Sequence, residues 1–240
     1  PLAGALALVT TGVGALAARA AAAAPPAAVA AATAASTQPV DALPGGDPAP
    51  AVAIDGDFAD WSETDPLLVD PLDAPGNELD LRAVRASADG RFLHLHVETT
   101  RPVCLQGLDR PLELLLDADG NPGSGASIEL LSGLDVVVAF SPVDPRRPDR
   151  PGSGVGVEVF GVERADAPNA YALDLHFAPS HASDRFEIRL RRGSDLPNVG
   201  RVLAGRRVTG RLVQRAADGA IIDETEPFTV ELPAFDPGPA

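Results

Sequence analysis

What this 240-residue chain lacks narrows its chemistry first. It has no methionine and no lysine, so all 19 basic residues are arginine. A haem-binding reading would need an axial Met or a histidine pair, which leaves only His94, His96, His176 and His181. The single cysteine, Cys104, excludes an internal disulfide and reads as a small buried hydrophobe. Rings are scarce too: one Trp, one Tyr and eight Phe. Alternation places most of them inward, which excludes a flat aromatic strip for crystalline polysaccharide. With 34 acids against 19 bases the net charge is −15. Such a surface repels phosphate backbones, so nucleic acid is excluded as a partner of this domain. There is no nucleophile elbow and no glycine loop leading from a strand into a helix. No carboxylate pair stands out for glycoside hydrolysis. The chain reads as non-catalytic.

The N-terminal residues 1–50 are not domain material. Leu2–Ala18 is apolar and uncharged, and Arg19-Ala20-Ala21-Ala22 follows it. Residues 1–22 read as a secretory signal whose basic front end is lost. The competing reading is a membrane anchor, but Gly and Thr dilute the run below the roughly 20 strongly apolar residues of a span. The expected location is extracellular or periplasmic, with membrane contact only through an uncleaved segment. Residues 23–50 are rich in Ala and Pro. Prolines at 25, 26, 39, 44, 48 and 50 forbid a long helix, so the stretch reads as a linker. Residues 51–235 are then one domain, and 236–240 a tail suited to an interdomain boundary.

Period-two alternation predicts strands through this domain. Phe92–Glu98 puts Leu93, Leu95 and Val97 on one face, with His94, His96 and Glu98 on the other. Arg185–Arg192 sends Phe186, Ile188 and Leu190 inward, with Glu187, Arg189 and Arg191 outward. Ala170–Phe177 alternates in the same way, with Tyr171, Leu173, Leu175 and Phe177 inward. Leu79–Ala86, Pro111–Leu116, Leu134–Phe140, Val155–Val162, Arg207–Arg215 and Pro227–Leu232 bring the expectation to about nine strands. Clusters of Pro, Gly and Asp separate them, and no long helical periodicity appears. The fold class predicted is an all-β, antiparallel, jelly-roll-like sandwich.

Leu114-Leu-Leu-Asp-Ala-Asp-Gly-Asn-Pro-Gly-Ser-Gly125 carries the clearest chemistry. Asp117, Asp119 and Asn121 set oxygens at alternate positions of a tight loop, a pattern that suits Ca²⁺, with Asp135 as a further ligand. It is not an EF-hand: Pro122 stands where that loop needs Gly, and Ile128 where it needs Glu. The other reading is an Asx-capped turn without an ion. Ile54-Asp-Gly-Asp-Phe-Ala-Asp-Trp61 holds the only Trp, which reads as a core plug, and Asp55 and Asp57 read as caps of the turn at Gly56. Asp65, Asp70, Asp73, Glu78 and Asp80 form an acidic run, either a solvated connection or a second cation site. His94 and His96 share a strand face, where zinc competes with ordinary polar alternation.

Taken in order, Ile54-Asp-Gly-x-Phe-x-Asp-Trp61, Asp89-Gly-Arg-Phe-Leu-His-Leu-His96, the Asp117 loop and Arg185-Phe-Glu-Ile-Arg-Leu190 resemble a known group. They are similar to the carbohydrate-binding-module family 9-like, or DOMON-like, sandwich domains of exported bacterial proteins. The resemblance spans about residues 52–232. It implies a jelly-roll-like sandwich, sugar binding in some members and structural Ca²⁺, with Asp117, Asp119 and Asn121 on the acidic loop. It also implies an accessory role, because such domains occur in front of phosphodiesterase- or nuclease-like catalytic domains. The expected function is an exported accessory module binding carbohydrate or another surface ligand. The alternative is a structural or protein-interaction domain in front of a missing catalytic one.

Overall fold

Alternating and continuous apolar runs both become strands, and the difference between them records how many faces are covered. In a computed structural model of the protein, residues 52–236 are described, apart from 75–78, 145, 148–149, 162–168, 194–202, 204 and 217. They lie within the unit Ala49–Ala240. The signal and linker readings of residues 1–50 and the tail from 237 lie outside the described residues, as does Glu78. The first sheet has the order β1 (Leu68–Val69), β2 (Leu81–Ala88), β3 (Phe92–Val103), β8 (Ser183–Arg191), β7 (His176–Ala178). The second has the order β10 (Ile221–Glu224), β9 (Arg207–Arg215), β4 (Leu112–Asp117), β5 (Val136–Phe140), β6 (Val155–Val159). A further strand, β11 (Phe228–Glu231), also pairs with β9. Every pairing is antiparallel. The all-β sandwich predicted is the fold, with eleven strands among the described residues rather than nine.

The core lies between the sheets. Leu93, Leu95 and Val97 of β3 join Phe186, Ile188 and Leu190 of β8, and meet Leu112, Leu114 and Leu116 of β4 with Val136, Val138 and Phe140 of β5. Each such side chain contributes about 1.5–3 kcal/mol through burial. Leu115, between Leu114 and Leu116, points the other way. It packs with Val213, Leu131 and Leu134 in a second apolar cluster on the outer face of the second sheet. The segment bridged through Ala126 and Leu134 covers that face. This is why β4 is an unbroken apolar run: both of its faces are buried.

Three expectations need correction. Of Ala170–Phe177 only the end is strand. Asn169 caps a turn through Ala172, whose N–H lies 3.0 Å from Asn169 Oδ1 and 3.1 Å from its carbonyl. The turn is closed by Leu175 N–H donating to Ala170 O at 2.9 Å, and it leaves Asp174 at φ 43°. Leu173 is buried as expected, but Tyr171 is 92% exposed. Cys104 is only half-buried, with its sulfur 3.9 Å from Ser180 O, because it lies just past the end of β3. Glu187 was placed on a solvated face and is fully buried, for the reason given below. The two unforeseen strands, β1 and β10, have two and four residues, too few to show a period. Where β10 gives way to β11, Thr225 holds the ladder: its N–H donates to Leu212 O, and its hydroxyl accepts from Leu212 N–H.

Candidate functional site

The Asp117 loop sits on the rim, between the end of β4 and the start of β5. Asp135 N–H donates to Leu116 O at 2.9 Å, which sets Asp135 beside Asp117. Asp117, Asp119 and Asp135 offer oxygens within 4.8 Å of one another. Asn121 Oδ1 accepts Gly123 N–H at 3.0 Å. The carboxylates are fed by the loop's own backbone. Asp117 Oδ1 accepts Gly120 and Asn121 N–H at 2.8 and 3.2 Å. Asp135 Oδ2 accepts Ala118 and Asp119 N–H at 2.9 and 3.3 Å. Asp119 takes Asn121 N–H and the Ser124 hydroxyl. Gly125 allows the loop to close: at φ 61° it faces Asp135, where a Cβ would come within 2.6 Å of Oδ1. Burial pushes the Asp117 and Asp135 carboxyls up, and the backbone N–H groups hold them partly down. These hydrogen bonds are those of an Asx-capped turn.

A second group of acids collects at the sheet edges. Asp70 follows β1 and is tied to the β2 strand by its N–H, 2.8 Å from Arg82 O. Asp223 comes from β10 of the other sheet, and its Oδ2 accepts Leu81 N–H at 2.7 Å. Asp70, Asp73 and Asp223 bring oxygens within 4.8 Å of one another. Asp70 and Asp223 are 4% and 3% exposed, while Asp73 faces solvent. Asp80 is buried beside them and accepts Ala74 N–H at 3.4 Å. Burial, then Asp223, Asp73, Asp80 and Glu226 in turn, push Asp70 up from 3.8 to about 7. The acidic run pointed to Asp70 and Asp73. Nothing in the sequence pointed to Asp223, which is far away along the chain.

The Trp61 segment explains Glu187. Asp57 caps a short 3₁₀ turn, Phe58–Trp61, that lies on the outer face of the first sheet. Glu187, paired with His96 across β8 and β3, accepts the Trp61 indole N–H at 2.9 Å. It also accepts the Gly56 and Asp55 N–H groups at 2.9 and 3.1 Å. Gly56 adopts φ 83°, a conformation that favours glycine and presents both N–H groups to one carboxylate. Trp61 is buried as expected, yet outside the inter-sheet core: its ring stacks on His96 at 5.4 Å, with Phe58 edge-on at 5.3 Å. The His94 and His96 face is therefore covered, at 5% and 2% exposure. Desolvation pushes His96 down to about 4. Neither histidine belongs to either group of convergent ligands found among the described residues. No family model matches the chain, and no curated protein matches it.

Proposed function

We propose that the chain is a non-catalytic, exported accessory module that engages a carbohydrate or another surface polymer through its loop rim, with Tyr171 as a contact ring. The observation that carries this reading is that the middle of each outer sheet face is already occupied. The Trp61 segment covers His96 and Glu187, and the residue 126–134 segment covers Leu115 and Val213. Two buried groups of the first sheet that could do acid–base work, Glu187 and His96, are spent on holding the chain together. Glu187 receives three N–H donors, and His96 is stacked and held in its neutral form. The rim stays open to a ligand. There Tyr171 stands 92% exposed on a turn fixed by Asn169, anchored by buried Leu173. Asp174 beside it binds His176 Nε2 at 2.8 Å and Arg189 at 3.2 Å. A ring held on a closed turn loses little entropy on contact, and its face suits the apolar side of a pyranose.

Affinity electrophoresis through gels containing xylan, β-glucan or dextran tests the reading. Retardation by one polymer is expected, and Tyr171→Ala should weaken it about tenfold with an unchanged melting temperature. A wild-type chain that no polymer retards would end the carbohydrate reading. A second reading, a structural or protein-interaction domain in front of a catalytic one, would then stand. The covered middle of each outer face favours it too, since it suits a spacer.

A further inference from the structure

We infer that Asp70, Asp73 and Asp223 form a binding site for a hard divalent cation, Ca²⁺ by preference, that ties the β10 edge of one sheet to the β1–β2 edge of the other. This goes beyond the proposed function and does not depend on it. The first observation is convergence: three carboxylates from two distant stretches of chain, Asp70 with Asp73 and Asp223, bring oxygens within 4.8 Å of one another. Acidic clusters form on many surfaces without an ion, so convergence alone carries nothing.

The second observation is what distinguishes this cluster. Asp70 Oδ2 and Asp223 Oδ1 are buried and accept no hydrogen bond. Both residues are more than nine-tenths buried, at 4% and 3% exposure. A buried carboxylate oxygen left without a donor costs about 1–3 kcal/mol or more, and native chains nearly always supply a partner. Among the described residues no ion pair reaches Asp70, Asp73, Asp80 or Asp223. The carboxylates face each other instead. The arrangement lacks one positive charge in the middle.

The donor set selects the ion. All the ligands are oxygen, with no His or Cys, which disfavours zinc and copper. Ca²⁺ accepts irregular sets of six to eight oxygens, including water, whereas Mg²⁺ demands a near-ideal octahedron. Asp73 is exposed, so one side of the site stays open for water ligands and for entry. Asp80 is a positioning residue: it holds the Ala74 N–H and adds negative charge to the site. The rim loop differs: its backbone N–H groups occupy one oxygen each of Asp117, Asp119 and Asp135, and none of these three keeps a buried oxygen without a partner.

The competing account is that Asp70 and Asp223 share a proton in place of an ion. The test is calorimetric titration of the chelator-stripped full chain with CaCl₂, paired with thermal melts. One-site binding is expected, with a melting temperature raised by about 5–10 °C when Ca²⁺ is roughly a hundredfold above its Kd. Asp70→Asn and Asp223→Asn should abolish both signals. Asp73→Asn, which alters only an exposed ligand, should keep the melting temperature seen in chelator and weaken Ca²⁺ binding at least about tenfold. Asp117→Asn should keep the full response. Absence of heat and of any melting shift at about 10 mM Ca²⁺ would leave the shared proton as the account. A response that survives Asp73→Asn and Asp70→Asn but vanishes in Asp117→Asn would move the ion to the rim loop. Either result overturns the inference.

Discussion

The rim loop and the edge cluster each bring three aspartates within 4.8 Å, and they solve the resulting electrostatic problem in opposite ways. At the rim, Asp117, Asp119 and Asp135 each turn one oxygen toward the loop's own N–H groups, and none keeps a buried oxygen unpaired. The charge is spread over backbone dipoles, and the loop gains its shape from the same bonds. At the edge, Asp70 and Asp223 keep oxygens that nothing donates to. Acid spacing in a motif is thus a poor guide to which cluster needs a counter-ion. Hydrogen-bond accounting is the better one. Glu187 lies at the satisfied extreme, a fully buried carboxylate with three N–H donors.

The largest break in the comparison should come from Glu187→Ala. It strands the Trp61 indole N–H and the Gly56 and Asp55 N–H groups, and it removes the anchor of the 3₁₀ turn. A loss of about 3–4 kcal/mol is expected in urea unfolding. Tryptophan fluorescence should shift to the red as Trp61 meets water. An unshifted spectrum with a small loss would mean that the segment holds by ring packing alone. Asp135→Ala comes next. It removes the acceptor for Ala118 and Asp119, and about 2–3 kcal/mol should be lost with or without Ca²⁺. A loss seen only with Ca²⁺ present would make the rim an ion site after all.

Asp70→Asn should have the opposite sign. Replacing a buried carboxylate that faces other acids by a neutral amide relieves repulsion. In chelator the variant should be more stable than the wild type by about 1–2 kcal/mol, read as a raised urea midpoint. In Ca²⁺ the order should reverse, since only the wild type gains from the ion. If Asp70→Asn weakens the chain in chelator, the edge cluster is a satisfied network like the rim.

How much of this was readable from sequence follows from contact range. The Asp117 loop was legible because all its donors and acceptors except Asp135 lie within a few residues, so spacing alone shapes it. The inter-sheet core was legible through Leu93, Leu95 and Val97, where alternation mirrors the pleat. Tyr171 misled because an alternating stretch also fits a capped turn in which Leu173 alone is buried. Glu187 misled because period-two logic assigns the outer face to water, and it cannot see a 3₁₀ turn arriving from the start of the domain. Asp223 gave no signal, since an acid on a four-residue edge strand looks solvated until the other sheet is placed beside it.

The smallest expected effect tests whether the covered face behaves as an interior. His96 meets Trp61 and Phe58 by ring contact, and the charges facing it are Glu98, Arg85 and Arg185, with Glu187 across the ladder. Its folded pKa, about 4, lies below the ordinary 6.5, and desolvation is the main cause. The unfolded chain therefore takes up a proton first as the pH falls. His96 costs nothing above 6.5, removes stability progressively between 6.5 and 4, and adds no further loss below that. Over the first pH unit under 7 the loss is less than about 1 kcal/mol. Burial raises the pKa of Asp117, Asp135 and Glu187, and these groups act in the opposite direction, favouring the folded chain as the pH falls. The whole-protein profile therefore hides the histidine. The difference between wild type and His96→Phe isolates it, because the carboxylates are common to both. Across urea midpoints measured at pH 7, 6 and 5, the wild type should lose ground steadily to the variant. Parallel profiles would mean that water reaches the Nε2 atom, and that the face under Trp61 is open enough to bind a ligand after all.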